Sequence, residues 1–196
     1  TLLGMKGIPA LSEELQISRD LYLAAYNDAK IHFSTISCSS SIPMIMEAKA
    51  NDLKVSSGVA IHNLILTDKS TEDFDSNYKV LPPLRTAIDN ANLIEGLKAG
   101  VIDVITSDHT PQDTESKIVE FGLAEFGIIG TQTAFPLAVT HLEQAIGLQG
   151  IVAKMSINPR TILQLEVPII EKGFKANLTL FNPKEKWTFT KENNQS

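Results

Sequence analysis

The sequence predicts an α/β fold built on parallel strands, of the kind found in (β/α)8 barrels. Two observations carry this prediction. Short apolar runs typical of buried strands alternate with amphipathic helical segments over most of the chain. In addition, the apolar run 101–106 leads almost directly into Asp108, so a carboxylate stands where a strand ends and a loop begins. Barrel enzymes place their chemistry at this position, although an acidic helix N-cap would give the same local pattern.

The helical segments are marked by their apolar spacing and by residues that favour helix ends. Residues 12–27 carry an acidic first turn and an amphipathic pattern, with Ser12 as the predicted N-cap. Residues 41–51 and 87–99 are predicted to return the chain from the first two strands, and Gly100 ends the second of these helices. Further helical segments are predicted over 131–144, from Gly150 to Lys154, and within 158–165.

Three apolar runs predict the strands that these helices connect. They cover residues 30–36, 54–61 and 101–106. Val101, Ile102, Val104 and Ile105 of the third run are typical of a buried parallel strand. A long polar loop that includes residues 68–77 leads to the Pro82-Pro83 turn before the third strand is reached.

The end of the chain has a different pattern. Residues 166–190 include Ala176–Phe181 and Trp187–Phe189, which alternate as exposed strands do. The predicted organisation is therefore a barrel portion over 1–165, strands of a separate small β-sandwich over 166–190, and a polar, disordered tail over 191–196.

Composition narrows the class of protein. The chain is 43% hydrophobic and 20% charged, with a net charge of -6 and a pI near 5.2. An acidic chain with scattered lysines is not expected to bind nucleic acid. No apolar run reaches the roughly 20 residues that cross a bilayer, and no signal-peptide pattern is present, so a cytoplasmic protein without membrane contact is expected. The single cysteine, Cys38, fits a reducing compartment.

The number of strand and helix units is small for a barrel. A complete (β/α)8 barrel takes roughly 250 residues, whereas 196 residues here contain about three such units and begin at Thr1 without a methionine. We expect this sequence to be the C-terminal part of a barrel. A partial barrel exposes two strand edges and an apolar inner face, which predicts pairing with a complementary segment or a homo-oligomer.

Several motifs together carry a family resemblance. They are, in chain order, residues 5–10 (MKGIPA), 31–37 (IHFSTIS), 80–85 (VLPPLR), 107–111 (SDHTP), 126–130 (FGIIG), 156–160 (SINPR) and 176–181 (ANLTLF). In this order and spacing they resemble the C-terminal half of a dihydroorotase, a member of the cyclic amidohydrolase superfamily. The resemblance covers nearly the whole chain.

The resemblance implies a reaction and a set of site residues. A dihydroorotase opens the cyclic amide of dihydroorotate in de novo pyrimidine biosynthesis and uses zinc or another divalent metal. Asp108 matches the family's aspartate that is both metal ligand and catalytic base. Phe126 and Gly127 match a segment that contacts the substrate, and Gln112 lies where a substrate-binding side chain is expected. The same resemblance places residues 166–190 in a β-sandwich beside the barrel.

Three positions depart from the family pattern. Thr35 stands where the sixth strand of the family carries a metal-ligating histidine, and a threonine hydroxyl is a poor zinc ligand. Leu81 replaces a substrate-binding asparagine, and Gln112 replaces a histidine. If Thr35 faces the barrel interior, strict alternation would turn His32 towards the helices.

Two further histidines lie near the predicted site. His62 matches the first histidine of a family motif, and His109 adjoins Asp108. Each could orient a loop of the site or could serve only the packing of the fold.

These observations leave two hypotheses of different classes. The first is a dihydroorotase-like hydrolase with a reduced metal and substrate site. The second is a non-catalytic homologue that acts as a structural or regulatory partner, for example of aspartate transcarbamoylase. Under either hypothesis the 196 residues alone are expected to be inactive, because most of the family's metal ligands lie outside them.

Overall fold

The computed structural model describes residues 4–196, so the first three residues of the predicted barrel portion lie outside the described residues. Its centre is a three-stranded parallel sheet in the order β1 (Ile31–Phe33), β2 (Val55–Ala60) and β3 (Val104–Thr106). The register pairs Ile31 with Val55 and Gly58 with Val104. The predicted α/β fold with parallel strands is confirmed, and the sheet forms part of a barrel.

Seven helices surround or follow this sheet in the described part of the chain. They are α1 (Ala10–Tyr26), α2 (Ser41–Ala50), α3 (His62–Ile65), α4 (Ala87–Lys98), α5 (Thr114–Lys117), α6 (Ala134–Val152) and α7 (Asn158–Ile162). Two 3-10 turns, Asp68–Thr71 and Ser76–Tyr78, lie in the long loop after α3, and a π-helical turn, Ala153–Ile157, joins α6 to α7. The short helices α3 and α5 were not predicted.

One face of the sheet packs against the helices and forms the hydrophobic core. Val59 of β2 is fully buried there with Ile45 of α2, Leu93 of α4 and Leu142 of α6. Because side chains alternate along a strand, the residues between these core positions point to the opposite face. In a closed barrel that opposite face is the interior.

The signals at the ends of α4 act as the sequence predicts. Thr86 and Asp89 form a capping box, in which the Thr86 hydroxyl accepts from the Asp89 amide and the Asp89 carboxylate accepts from the Thr86 amide. Gly100 has a φ of +74°, which a residue with a side chain rarely adopts. Its conformation ends the helix and turns the chain towards β3.

Two helix boundaries differ from the prediction. Helix α1 begins at Ala10, with Pro9 rather than Ser12 at the N-cap position, because the extended backbone of Pro9 starts the first turn and the Ser12 amide donates to the Pro9 carbonyl. Helix α6 begins at Ala134 rather than Thr131, and Gly147, with a φ of 69°, divides it into two helical segments, in agreement with the separate helices predicted over 131–144 and from Gly150.

The chain beyond α7 contains no strand among its described residues. Residues 166–190, predicted to be strands, are irregular, since an exposed extended segment forms a ladder only beside a partner strand. The end of the chain, predicted to be disordered, contains a 3-10 turn at Lys191–Asn193. Gln132 holds this turn by donating to the Asn193 carbonyl and accepting from the Gln195 amide. The sandwich domain and the domain boundaries stay predictions.

Within residues 4–196, no helix combines the length and the apolar character that crossing a membrane requires.

Candidate active site

The carboxyl ends of β2 and β3 place two ionisable side chains at the same level. Ala60 of β2 is paired with Thr106 of β3. His62 follows Ala60 by two residues, and Asp108 follows Thr106 by two residues. Because neighbouring parallel strands end at one edge of a sheet, the register brings these two side chains together there.

Asp108 occupies a tight turn at the end of β3. Its backbone has a φ of +46°, an unusual conformation that aspartate tolerates better than most residues. The Asp108 amide donates to the Thr106 hydroxyl at 3.2 Å, and the Thr110 hydroxyl donates to the Asp108 carbonyl at 2.9 Å. The side chain is 28% exposed, and its burial raises the pKa of the carboxyl. A carboxylate held in this way is open to a ligand from one side.

His62 lies close to Asp108 and is almost fully buried, with 3% of its surface exposed. Its Nε2 lies 3.8 Å from Oδ2 of Asp108. Burial lowers the pKa of the His62 ring to about 4, so the ring is neutral at pH 7 and this contact is not an ion pair. Neither ring nitrogen has a hydrogen-bond partner among the described residues.

The sequence left the role of His62 open between loop orientation and packing. His62 and Asp108 each lie two residues after a paired residue of β2 or β3. Their contact could have been predicted from this spacing, but only once the pairing of the two strands was known. His109, by contrast, points away from this pair. Its Nδ1 accepts from the amides of Gly130 and Thr131, at 3.0 and 3.4 Å, which fits a role in holding the loop before α6.

The three residues predicted to bind substrate are brought together by the loop after β3. The Gln112 side-chain amide donates to the Phe126 carbonyl at 3.0 Å. Gly127 follows in the same segment, and the Thr110 amide donates to the Ile128 carbonyl at 2.9 Å. Asp108 is two residues before Thr110, so this cluster is tied directly to the turn that carries the carboxylate.

The cluster is closely packed at Gly127, which has a φ of +155°. A Cβ atom there would lie 2.2 Å from the Thr110 carbonyl oxygen and 3.0 Å from Cγ of Gln112. These distances are too short for a side chain, so any residue other than glycine would displace the loop.

Replacing Gly127 by alanine is therefore expected to weaken binding of a ligand at this edge by about tenfold or more, because the Thr110 backbone and the Gln112 side chain must shift to accept the methyl group. Calorimetric titration with orotate, a planar analogue of the dihydroorotate that the sequence resemblance implies, measures the change. Gly122→Ala is the matched control, since the nearest atom to a Cβ at Gly122 is at 3.8 Å and belongs to a flexible methionine. Equal affinities for the two variants would show that the cluster does not shape the ligand site.

The expected direction of the His32 side chain, towards the helices, is wrong. His32 pairs in register with Ser56, and its Nδ1 lies 2.8 Å from the Ser56 hydroxyl. Both residues alternate with core positions of their strands, so His32 lies on the face opposite the helices and not against them. The expectation assumed that side chains alternate strictly from His32 to Thr35. Because β1 ends at Phe33, that alternation does not extend to Thr35.

The donor set of this site fits part of a metal shell. The Asp108 carboxylate and a neutral His62 ring are both groups that bind zinc. However, residues 4–196 contain no cluster of three or more histidine, cysteine, aspartate or glutamate side chains able to hold an ion. A structural zinc needs four ligands and a catalytic zinc commonly has three from the protein, so these donors alone do not complete a site.

Comparison with known proteins agrees with this fold. Residues 22–195 match the family described as "Amidohydrolase family", and the chain belongs to this family. Among its most similar relatives are dihydroorotases. That of Ruminiclostridium cellulolyticum is 43% identical over 189 residues, which are 95% of this chain and 44% of the relative. That of Carboxydothermus hydrogenoformans is 43% identical over 187 residues, covering 94% and 44%. The chain therefore spans less than half the length of these relatives.

Solved structures show the same fold. The L-hydantoinase (dihydropyrimidinase) of Arthrobacter aurescens superposes with a TM-score of 0.75 at 25% identity, over 80% of this chain and 36% of that one. The dihydroorotase of Saccharomyces cerevisiae in complex with 5-fluoroorotic acid superposes with a TM-score of 0.71 at 21% identity, over 83% and 47%. At 21% identity, the similarity to the Saccharomyces cerevisiae enzyme shows a shared fold alone.

Proposed function

We propose that the protein hydrolyses the cyclic amide of dihydroorotate, in de novo pyrimidine biosynthesis, with Asp108 at the centre of the reaction. The observation that carries this proposal is the placement of Asp108, a half-buried carboxylate in a fixed turn at the carboxyl end of a barrel strand. The similarity to dihydroorotases over 95% of the chain supports the choice of substrate.

In the proposed reaction, water adds to the ring carbonyl carbon and the bond from that carbon to the ring nitrogen breaks. Asp108 accepts a proton from the attacking water and later delivers it to the departing nitrogen, so one carboxylate serves as base and then as acid. The products of this step are a carboxylic acid, which loses its proton to solvent at neutral pH, and an NH2 group on the open chain. The raised pKa of Asp108 favours this role, because a carboxylate with a higher pKa is a better proton acceptor.

A divalent metal, zinc by family resemblance, would lower the pKa of the water and polarise the carbonyl when bound. Asp108 is the residue of this chain proposed to hold it. Gln112, Phe126 and Gly127 are proposed to contact the substrate through backbone and amide groups. The Gln112 side-chain amide donates to the Phe126 carbonyl. Gln112 therefore either exchanges this hydrogen bond for one to the substrate or fixes the Phe126 backbone that contacts the substrate.

A second candidate function is that of a non-catalytic partner, for example of aspartate transcarbamoylase. Thr35 lacks the nitrogen ligand that the family places there, and Leu81, which replaces the asparagine, is 55% exposed. An exposed apolar side chain in place of the family's asparagine suits a protein-binding surface better than a polar substrate. A homo-oligomer is proposed under both functions.

The test is ring opening of dihydroorotate by the protein at its natural length, followed by ultraviolet absorbance with and without added zinc or manganese. Metal-dependent turnover, removed by chelation and restored by metal, is the expected result. Turnover no faster than buffer with metal would reject the enzyme. Co-sedimentation with aspartate transcarbamoylase would then distinguish a partner protein, with a defined complex supporting that role and separate peaks rejecting it.

A further inference from the structure

His62 has no partner that explains its burial. The residue is 3% exposed, and its neighbours Ile61 and Leu64 are 2% and 4% exposed. Neither of its ring nitrogens makes a hydrogen bond within residues 4–196. Buried polar atoms nearly always have a partner, and each one left alone costs about 1–3 kcal/mol. A leucine at this position would avoid that cost, so packing alone does not account for a histidine.

The Asp108 carboxylate lies close to the ring. Nε2 of His62 is 3.8 Å from Oδ2 of Asp108, about 1 Å longer than a hydrogen bond. Hydrogen bonds of catalytic groups are often long in structures without ligand and shorten when the site is occupied. Ala60 and Thr106, each two residues before one member of the pair, are partners in the sheet, so the two side chains stay at the same end of neighbouring strands.

We infer that His62 is a positioning residue for Asp108: its ring donates from Nε2 to Oδ2 and leaves Oδ1 to exchange the proton with the reacting groups. This inference rests on the proposed function, in which Asp108 is the base. A carboxylate oxygen accepts a hydrogen bond, so this contact requires the proton on Nε2. The bond would also hold the carboxylate in one orientation through both proton transfers.

The first test does not depend on turnover. Long-range proton–nitrogen correlation spectra of the imidazole rings, recorded on the natural-length protein at neutral pH, report which nitrogen carries the proton. The His62 signals are assigned with a His62→Gln variant. The expected result is a ring protonated on Nε2 whose Nε2 signal shifts in Asp108→Asn, while His141 on α6 does not change. A ring protonated on Nδ1, or one that ignores Asp108→Asn, would overturn the inference.

The second test separates positioning from packing. His62→Leu removes the donor and keeps the volume, whereas His62→Gln keeps an N–H group close to the place of Nε2. We expect His62→Leu to lower kcat by about 10²-fold with KM within threefold of its original value, and His62→Gln to recover at least tenfold of that loss. The thermal unfolding midpoint of His62→Leu is expected to equal or exceed that of the original protein, because the variant removes two unpaired buried nitrogens.

The outcomes distinguish the two proposals. If the original protein turns over dihydroorotate and His62→Leu retains its kcat, the positioning role is wrong and the proposed function stands. If the original protein shows no turnover, the proposed function fails, while the imidazole spectra still decide whether the His62 ring is paired with Asp108.

Discussion

Replacing Glu13 by alanine is expected to lower the free energy of unfolding by about 3 kcal/mol or more. The Glu13 carboxylate, on α1, accepts from the amides of Ser37 and Cys38 and from the hydroxyls of Ser37 and Ser41, at 2.6–3.1 Å. The three donor residues are at most 1% exposed. Alanine would leave their polar groups buried without an acceptor.

The reason for this large effect lies at the start of α2. The Ser41 and Ile42 amides at its first turn donate to the Cys38 and Ser39 carbonyls, but the Ser37 and Cys38 amides just before the helix need an acceptor from outside this segment. Glu13 supplies the missing acceptor from another helix, and its negative charge is favourable near a helix N-terminus. Arg85 joins the same group by donating from Nε to the Ser37 hydroxyl at 3.0 Å. One carboxylate thus fixes the loop that follows β1 and Thr35.

Urea unfolding of the natural-length protein, followed by circular dichroism, measures the effect. Glu14→Ala is the matched control, because Glu14 is the next residue of α1 and accepts a single hydrogen bond, from the exposed Ser40 hydroxyl at 2.5 Å. A loss below about 1 kcal/mol is expected for that variant. If the two variants lost the same stability, the Glu13 carboxylate would not be the group that holds this loop.

Replacing Asp108 by asparagine is expected to lower kcat for dihydroorotate by about 10³-fold or more. Asparagine has nearly the same shape and tolerates the φ of +46° at this position, so the turn should be retained. It cannot accept a proton at neutral pH, and it carries no charge for a divalent metal. The expected loss therefore reports the chemistry of the carboxylate rather than the fold.

Asp103→Asn is the matched control for this variant. Asp103 lies at the start of β3, where its carboxylate accepts from Lys49 Nζ at 2.8 Å and from the Ser57 amide at 2.9 Å. Its replacement is expected to lower stability and to leave kcat within a few-fold of the original value, measured at saturating dihydroorotate and zinc. An Asp108→Asn variant that kept more than a tenth of kcat would contradict the role of Asp108.

The strands and central helices could be predicted because their signals are local. The apolar runs that became β1, β2 and β3 are short and bounded by polar residues, and α2 begins at the predicted Ser41. Gly100 could be assigned as a helix end because glycine is favoured at a positive φ. Local signals were insufficient at α1, where Pro9 and Ser12 are both reasonable first residues and the choice depends on how the preceding chain enters the helix.

The tail shows the limit of strand prediction. Alternation over 176–181 describes a segment that can form a strand, but a strand exists only when another strand satisfies its backbone groups. Phe181 instead packs its ring against Phe135 of α6, with 4.8 Å between the ring centres. The partner of these residues cannot be derived from their own pattern.

The site was predictable to the extent that it depends on one strand end. Asp108 was proposed as a site residue because the apolar strand, the acid and the following loop are consecutive in sequence. Its contact with His62 depends on the pairing of β2 with β3, which are more than forty residues apart. The link between Gln112 and Phe126 likewise depends on how the loop folds back, and spacing alone does not specify it.

The most direct test of the account is a crystal structure of the protein at its natural length, grown with zinc and orotate, with anomalous scattering recorded at the zinc absorption edge. We expect an anomalous peak at about 2.0–2.2 Å from a carboxylate oxygen of Asp108, with orotate beside Gln112 and Gly127. A peak bound elsewhere, or none within bonding distance of Asp108, would contradict the assignment of this carboxylate as the centre of the site.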